Sequence, residues 1–177
     1  GCDAVKFQTY VTEKRAPNDN QELFNILKKC ELPFASFEKL KDHSDSCGVD
    51  FFSTPFDCES IEYLESIEMK LYKVASMDVV NKALLRELAK TGKTIIMSVG
   101  MANLEEIRDA YDAIKSTSNN IAILHCISAY PTKEQDANLG TISVLQDEFS
   151  DCIIGQSDHT DGIKVPLYAV AMGAQVI

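Results

Sequence analysis

Seven short runs rich in apolar and β-branched residues recur along this chain, each but the last followed by a stretch with amphipathic helical periodicity. They are Ala4–Phe7, Val49–Phe52, Leu71–Val74, Thr94–Met97, Ile121–Leu124, Cys152–Ile154 and Gln175–Ile177, and their starts fall 45, 22, 23, 27, 31 and 23 residues apart. Runs this apolar suit strands covered on both faces. Repeated βα units of this size predict a parallel sheet, either doubly wound or closed into a barrel.

The intervening stretches carry helix-end signals. Asn103 is placed to cap Leu104–Lys115, with Glu105 and Glu106 in the first turn and Leu104, Ile107, Tyr111 and Ile114 on one face. Asn81–Lys90 places Leu84, Leu85 and Leu88 inward and stops at Gly92. Thr141 is expected to cap a helix running through Phe149, and Asp57 to cap the helix that follows it. Helices are also expected near Gln21–Cys30 and Phe34–Cys47.

Polar clusters stand at or just after nearly every run: Lys6-Phe-Gln-Thr, Ser53-Thr-Pro, Ala75-Ser, Ser98-Val-Gly, His125-Cys-Ile-Ser and Ser157-Asp-His-Thr. A (β/α)8 barrel brings all strand carboxyl ends to one mouth, whereas an open sheet gathers ligand groups at one switch point. No glycine-rich phosphate fingerprint follows any run. The expected fold is therefore a TIM barrel, read as truncated: strands 2 to 8 present, the first strand and the chain after strand 8 missing. On this reading residues 1–177 form a single incomplete barrel domain, inactive by itself.

Composition narrows the partners. The 177 residues are 45% apolar and 25% charged, which excludes disordered, collagen-like and coiled-coil classes. A formal charge of −10 opposes binding to nucleic acid or to anionic membranes. No apolar run is long enough for a membrane helix and no signal-peptide pattern opens the sequence. The six cysteines contain no CxxC pair and are read as reduced thiols. The expected compartment is the cytoplasm.

Several residues carry candidate chemistry. Lys6 and Lys73 close otherwise apolar strands, where an isolated ammonium is costly to bury and is best matched by an anion. Hydroxyls at Thr54, Ser76, Ser98, Ser128 and Ser157 follow successive strands. Ammonium groups with hydroxyl donors suit a phosphate or carboxylate ligand. His159, within Ser157-Asp158-His159-Thr160, can bind a divalent metal or act as an acid or base. His125 is expected in the sheet wall and His43 in solvent. Asp78 can reach a substrate hydroxyl or cap a helix.

Taken in series, these segments resemble the sialic acid synthase family. The resemblance is carried by Val5-Lys6-Phe7-Gln8-Thr9, Phe52-Ser53-Thr54-Pro55-Phe56-Asp57, Tyr72-Lys73-Val74-Ala75-Ser76, Ala89-Lys90-Thr91-Gly92-Lys93 and Gly100-Met101-Ala102. It continues through His125-Cys126, Ala129-Tyr130-Pro131, Asp136-Ala137-Asn138-Leu139 and Gly155-Gln156-Ser157-Asp158-His159-Thr160.

The resemblance implies condensation of phosphoenolpyruvate with an N-acetylmannosamine-type sugar and release of phosphate. It implies phosphoenolpyruvate contacts at Lys6, Gln8, Thr54, Lys73, Ser76, Ser98, Ser128 and Ser157, with Lys6, Lys73 and His159 as the catalytic groups. Sugar contacts are implied at Asp78 and Tyr130. A divalent Mn2+ or Mg2+ is implied at His159, with a second histidine expected just beyond Ile177. A C-terminal antifreeze-like domain, absent from these residues, is expected to support a homodimer. Asp78 stands where the family usually has Glu, Met77 replaces a small residue and Val99 replaces a common Thr. These differences bear on the sugar, since legionaminate and pseudaminate synthases share the motifs. Two other readings remain: a 3-deoxy-sugar-acid synthase using a phosphorylated aldose, and a silent barrel that binds an anionic sugar.

Overall fold

The computed structural model describes residues 1–16, 19–117 and 120–177. Six of the seven expected runs form strands: β1 (Ala4–Thr9), β2 (Asp50–Pro55), β3 (Leu71–Val74), β4 (Thr94–Ser98), β5 (Ile121–Cys126) and β6 (Ile153–Ser157). The helices are α1 (Thr12–Arg15), α2 (Gln21–Cys30), α3 (Ala35–Ser46), α4 (Cys58–Ser66), α5 (Lys82–Lys90), α6 (Leu104–Lys115), α7 (Thr141–Glu148) and α8 (Lys164–Ala171). Two compact units divide the chain, Gly1–Lys73 and Val74–Ile177.

In the first unit β1 pairs in parallel with β2, aligning Lys6 with Phe52 and Gln8 with Thr54, and β2 pairs in parallel with β3 through Ser53 and Tyr72. Side chains alternate along a strand and paired residues share a face. Lys6, Gln8, Thr54 and Lys73 therefore share one face, while Phe51, Ser53 and Tyr72 lie on the other. That second face joins the core with Phe37, Ile61, Leu64 and Met69, all buried. The buried Tyr72 hydroxyl donates to the Glu65 carboxylate of α4, which fastens that helix to the sheet.

In the second unit β4 pairs in parallel with β5, and β5 with β6. Ile95, Met97, Ile123 and Ile154 occupy one face and are buried with Leu84, Leu85 and Leu88 of α5, Ile107 and Ile114 of α6, and Ile142 and Leu145 of α7. Full burial of one such aliphatic side chain contributes about 1.5–3 kcal/mol. Ser98, Cys126 and Ser157 fall on the opposite face by register. Gly155 sits there because a Cβ at this position would lie 2.3 Å from the Val176 oxygen.

The capping expectations hold at two helices: Asn103 and Glu106 form a reciprocal capping box on α6, and Asp57 accepts from the Ser60 amide on α4. Asn81, expected as the first residue of its helix, instead caps α5 by accepting from the Leu84 amide. Thr141 is a correction: it is the first residue of α7, its preceding residue is Gly140, and no side chain caps that helix.

The seventh expected strand is a second correction. Gln175–Ile177 does not form a strand, although the Gln175 amide donates to Ile154 O at 2.9 Å and the Gln156 amide donates to Val176 O at 2.8 Å. The two bonds are out of step by one residue for a parallel ladder, in which both would involve the same residue of the incoming segment. The polar clusters also lie nearer the strands than expected. Gln8 and Thr54 are inside β1 and β2, and Ser98 and Ser157 are the last residues of β4 and β6.

Candidate functional site

The first unit presents two ammonium groups on its polar sheet face. Lys6 is exposed on β1, and Lys73 of β3 is 7% exposed. Crowding by neighbouring atoms desolvates the Lys6 ammonium enough to lower its pKa below the usual lysine value. Thr54, 2% exposed, and the exposed Gln8 complete the set of expected residues on this face.

The loop after β1 is held by Asp57. One carboxylate oxygen accepts from the Ser60 amide at 2.8 Å, and the other accepts from the Val11 amide at 3.0 Å and the Ser60 hydroxyl at 2.9 Å. The capping residue of α4 thus also fixes the turn leading out of β1. Phe56 adds a backbone bond, its amide donating to Thr9 O at 3.1 Å.

In the second unit Ser76 and Asp78 form a single 3-10 turn after β3. The Ser76 hydroxyl oxygen accepts from the Gly100 amide at 3.0 Å, which leaves its hydrogen to donate elsewhere. Gly100 is required here because a Cβ would lie 2.5 Å from the Cys126 carbonyl oxygen. Asp78 is buried and accepts from the Asn81 side-chain amide at 3.3 Å, so it supports the residue that caps α5 instead of capping the helix itself. Ser98 is buried at the end of β4, whereas Ser128 is exposed in the loop after β5.

His159 is held from two sides. Its Nδ1 lies 2.8 Å from Ile127 O, and the Tyr130 ring sits over it at 4.1 Å between centroids with a 36° tilt. A carbonyl oxygen only accepts, so Nδ1 donates, and in the neutral imidazole the lone pair is on Nε2. The loop bearing the imidazole is tied to the loop after β5 by the Thr132 amide donating to His159 O at 2.8 Å and by a Thr132–Thr160 bridge. Asp158 accepts from the Thr160 hydroxyl at 2.9 Å and from the Gln156 side-chain Nε2 at 3.2 Å. Beside it lies a small indentation lined by Ile127, Thr132, Gln156, Asp158, His159 and Thr160. The buried Gln156 Oε1 has no hydrogen-bond partner among the described residues.

A histidine that donates Nδ1–H to a backbone carbonyl has the orientation commonly found in metal-ligating imidazoles. His159 therefore fits as a single ligand for a divalent ion. No group of three or more His, Cys, Asp or Glu able to hold a metal occurs among the described residues. His125 is structural as expected, its Nε2 bonded to Ala137 O at 2.7 Å in the buried sheet wall. His43 lies on α3, its Nε2 3.8 Å from Cys47 Sγ. Two features escaped sequence reasoning: Arg15 beside Gln8, and the Thr132–Thr160 tie. Arg15 and Thr132 belong to no ligand-like spacing pattern; the first contact comes from helix α1 folding back on β1, the second from the paired loops after β5 and β6.

The molecule is of the parallel α/β class, with its polar groups at the carboxyl ends of the strands. The chain belongs to the NeuB family, whose model matches residues 1–177. It is 40% identical, over its whole length, to an uncharacterized protein from Methanocaldococcus jannaschii, of which it covers 52%. It is 38% identical to the N,N'-diacetyllegionaminic acid synthase of Campylobacter jejuni, again over its whole length and over 58% of that protein. Among solved structures, the sialic acid synthetase of Leptospira borgpetersenii in complex with citrate matches 99% of the chain at 39% identity with a TM-score of 0.95, and 61% of that structure is covered. The truncated 3-deoxy-D-arabino-heptulosonate 7-phosphate synthase of Thermotoga maritima matches 99% of the chain and 74% of that structure at 15% identity and a TM-score of 0.69, a likeness of fold alone. The chain spans about half the length of the curated relatives it matches. Among the described residues no helix is long and apolar enough to cross a membrane.

Proposed function

We propose that these residues belong to the catalytic (β/α)8 domain of a synthase that joins phosphoenolpyruvate to an N-acylated amino sugar, forming a sialic-acid-like nonulosonate and releasing phosphate. The observation that carries this reading is the shared sheet face of Lys6, Gln8, Thr54 and Lys73, in a chain of the NeuB family. The names of the Campylobacter and Leptospira relatives support it, and the citrate held by the latter agrees with a carboxylate-binding protein.

The roles follow from chemistry. Lys6 and Lys73 offset carboxylate and phosphate charge, and Gln8 and Thr54 add N–H and O–H donors. In the second unit Ser76, Ser98, Ser128 and Ser157 are hydroxyl donors suited to phosphate or carboxylate oxygens. Asp78 and Tyr130 are assigned to the sugar. His159 is assigned to Mn2+ or Mg2+, which when bound supplies Lewis-acid polarisation of the sugar carbonyl. In the reaction, carbon 3 of phosphoenolpyruvate forms the new bond to the open-chain aldehyde carbon. Water adds at carbon 2, and collapse of that centre expels phosphate. Fixed cations and donors around the departing charge lower the barrier because they need no reorganisation.

The test is phosphate release by the full-length protein supplied with phosphoenolpyruvate, Mn2+ and a panel of N-acetylmannosamine-, legionaminate- and pseudaminate-type precursors. Release with at least one sugar and none without sugar is expected. No release with any sugar discards the proposal.

A further inference from the structure

Arg15, the last residue of α1, returns to strand β1. Its guanidinium carbon lies 3.6 Å from the centre of the Phe56 ring and 4.5 Å from that of Tyr10, and its Nη1 lies 3.1 Å from Gln8 Oε1. The aromatic supports are themselves anchored. The Tyr10 hydroxyl donates to Leu27 O at 2.9 Å, the two rings meet edge to face at 6.2 Å, and the turn between them is held by Asp57 through the Val11 amide.

A guanidinium has only donors, so the Gln8 atom facing it is the oxygen, and the other end of the amide is the NH2 group. We infer that Arg15 is a positioning residue: it engages the Gln8 side-chain oxygen and so makes Gln8 meet its ligand through the NH2 edge. An amide oriented this way turns its NH2 edge away from Arg15 and so favours an anionic oxygen over a donor hydroxyl there. The planar fork, stacked on aromatic faces, suits this task better than a flexible ammonium. The inference rests on the proposed reading of Gln8 as a phosphoenolpyruvate contact.

The experiment measures phosphoenolpyruvate binding by calorimetry and steady-state kinetics in the full-length protein for Arg15→Ala, Arg15→Lys, Gln8→Ala and the double variant. Arg15→Ala is expected to raise Kd and KM for phosphoenolpyruvate about tenfold, the scale of one charge-assisted hydrogen bond, with kcat changed less than about threefold. Arg15→Lys recovers part of the loss. In the Gln8→Ala background Arg15→Ala changes nothing further, which a role in folding or as a free charge does not produce. An unchanged KM in a folded Arg15→Ala protein, or equal losses with and without Gln8, overturns the inference while leaving the reaction intact. Absence of phosphoenolpyruvate binding by the unsubstituted protein overturns the reaction reading and this inference with it.

Discussion

His159 turns its Nδ1 to the main-chain oxygen of Ile127 across 2.8 Å, leaving Nε2 as the free lone pair of the ring. Because the partner is backbone, no neighbouring side chain has to be ionised to set this tautomer. In the neutral imidazole, side-chain 15N NMR is expected to place the hydrogen on Nδ1, with the Nε2 resonance alone broadened by Mn2+. Replacing His159 by Ala is expected to weaken Mn2+ binding by at least about tenfold, a conservative figure for loss of a direct ligand. A protonated Nε2 in the NMR spectrum would contradict the assignment.

Lys6 gives a pH dependence with a definite sign. Desolvation lowers its pKa, so folding favours the neutral amine and this group's contribution to stability improves as pH rises through the lowered value. Anion binding runs the other way, because it needs the charged form. Affinity for phosphoenolpyruvate is therefore expected to fall with rising pH before an ordinary lysine would titrate. Lys6→Arg is expected to move that alkaline limb upward. Calorimetry between neutral pH and pH ~10 checks both statements, and an identical limb in the variant would remove Lys6 from the binding step.

Gly100 permits a close approach that any side chain would block. A Cβ there would meet Cys126 O at 2.5 Å and Cys126 C at 2.8 Å, both backbone atoms. Gly100→Ala is expected to destabilise the protein by about 1–3 kcal/mol, the usual cost of overpacking, read as a lower urea midpoint at constant slope. The same shift displaces the Gly100 amide from Ser76, and on the proposed role of Ser76 the affinity for phosphoenolpyruvate is expected to fall as well.

The cysteines differ in reactivity. Burial first, and the adjacent Asp151 carboxylate second, push the Cys152 thiol up to about 11, while Cys126 is buried outright. At pH 8 about one Cys152 in a thousand is thiolate, and the thiolate is the nucleophile. Mass mapping after iodoacetamide is expected to find Cys2, Cys30, Cys47 and Cys58, all exposed, alkylated well before Cys126 and Cys152. Early labelling of Cys152 would show that its surroundings open in solution.

Local patterning made much of this protein legible. Apolar runs at βα spacing mark six strands because strand residues of a parallel sheet are mostly apolar, even though β1 leaves Ala4, Lys6 and Gln8 exposed, and Asn103 and Asp57 mark helix starts because their short polar side chains satisfy exposed amides. Alternation then puts Lys6 and Gln8 on one face of β1, while the pairing of Gln8 with Thr54 that brings β2 into the same face is a tertiary outcome. Other features depended on which distant backbone came near. Thr141 reads as a cap, yet the turn at Gly140 places it inside the helix, and Gln175–Ile177 reads as a strand but enters one residue out of step with β6. The contact of Arg15 in α1 with Gln8 and of His159 with Ile127 likewise depends on how those segments fold back on the strand ends. Sequence determined the elements and the kinds of chemical group they carry, because propensity and burial act over a few neighbouring residues. Tertiary structure alone decided which atoms of those groups are engaged and which remain available to a ligand, because a hydrogen bond depends on positions within a few tenths of an ångström that no local pattern specifies.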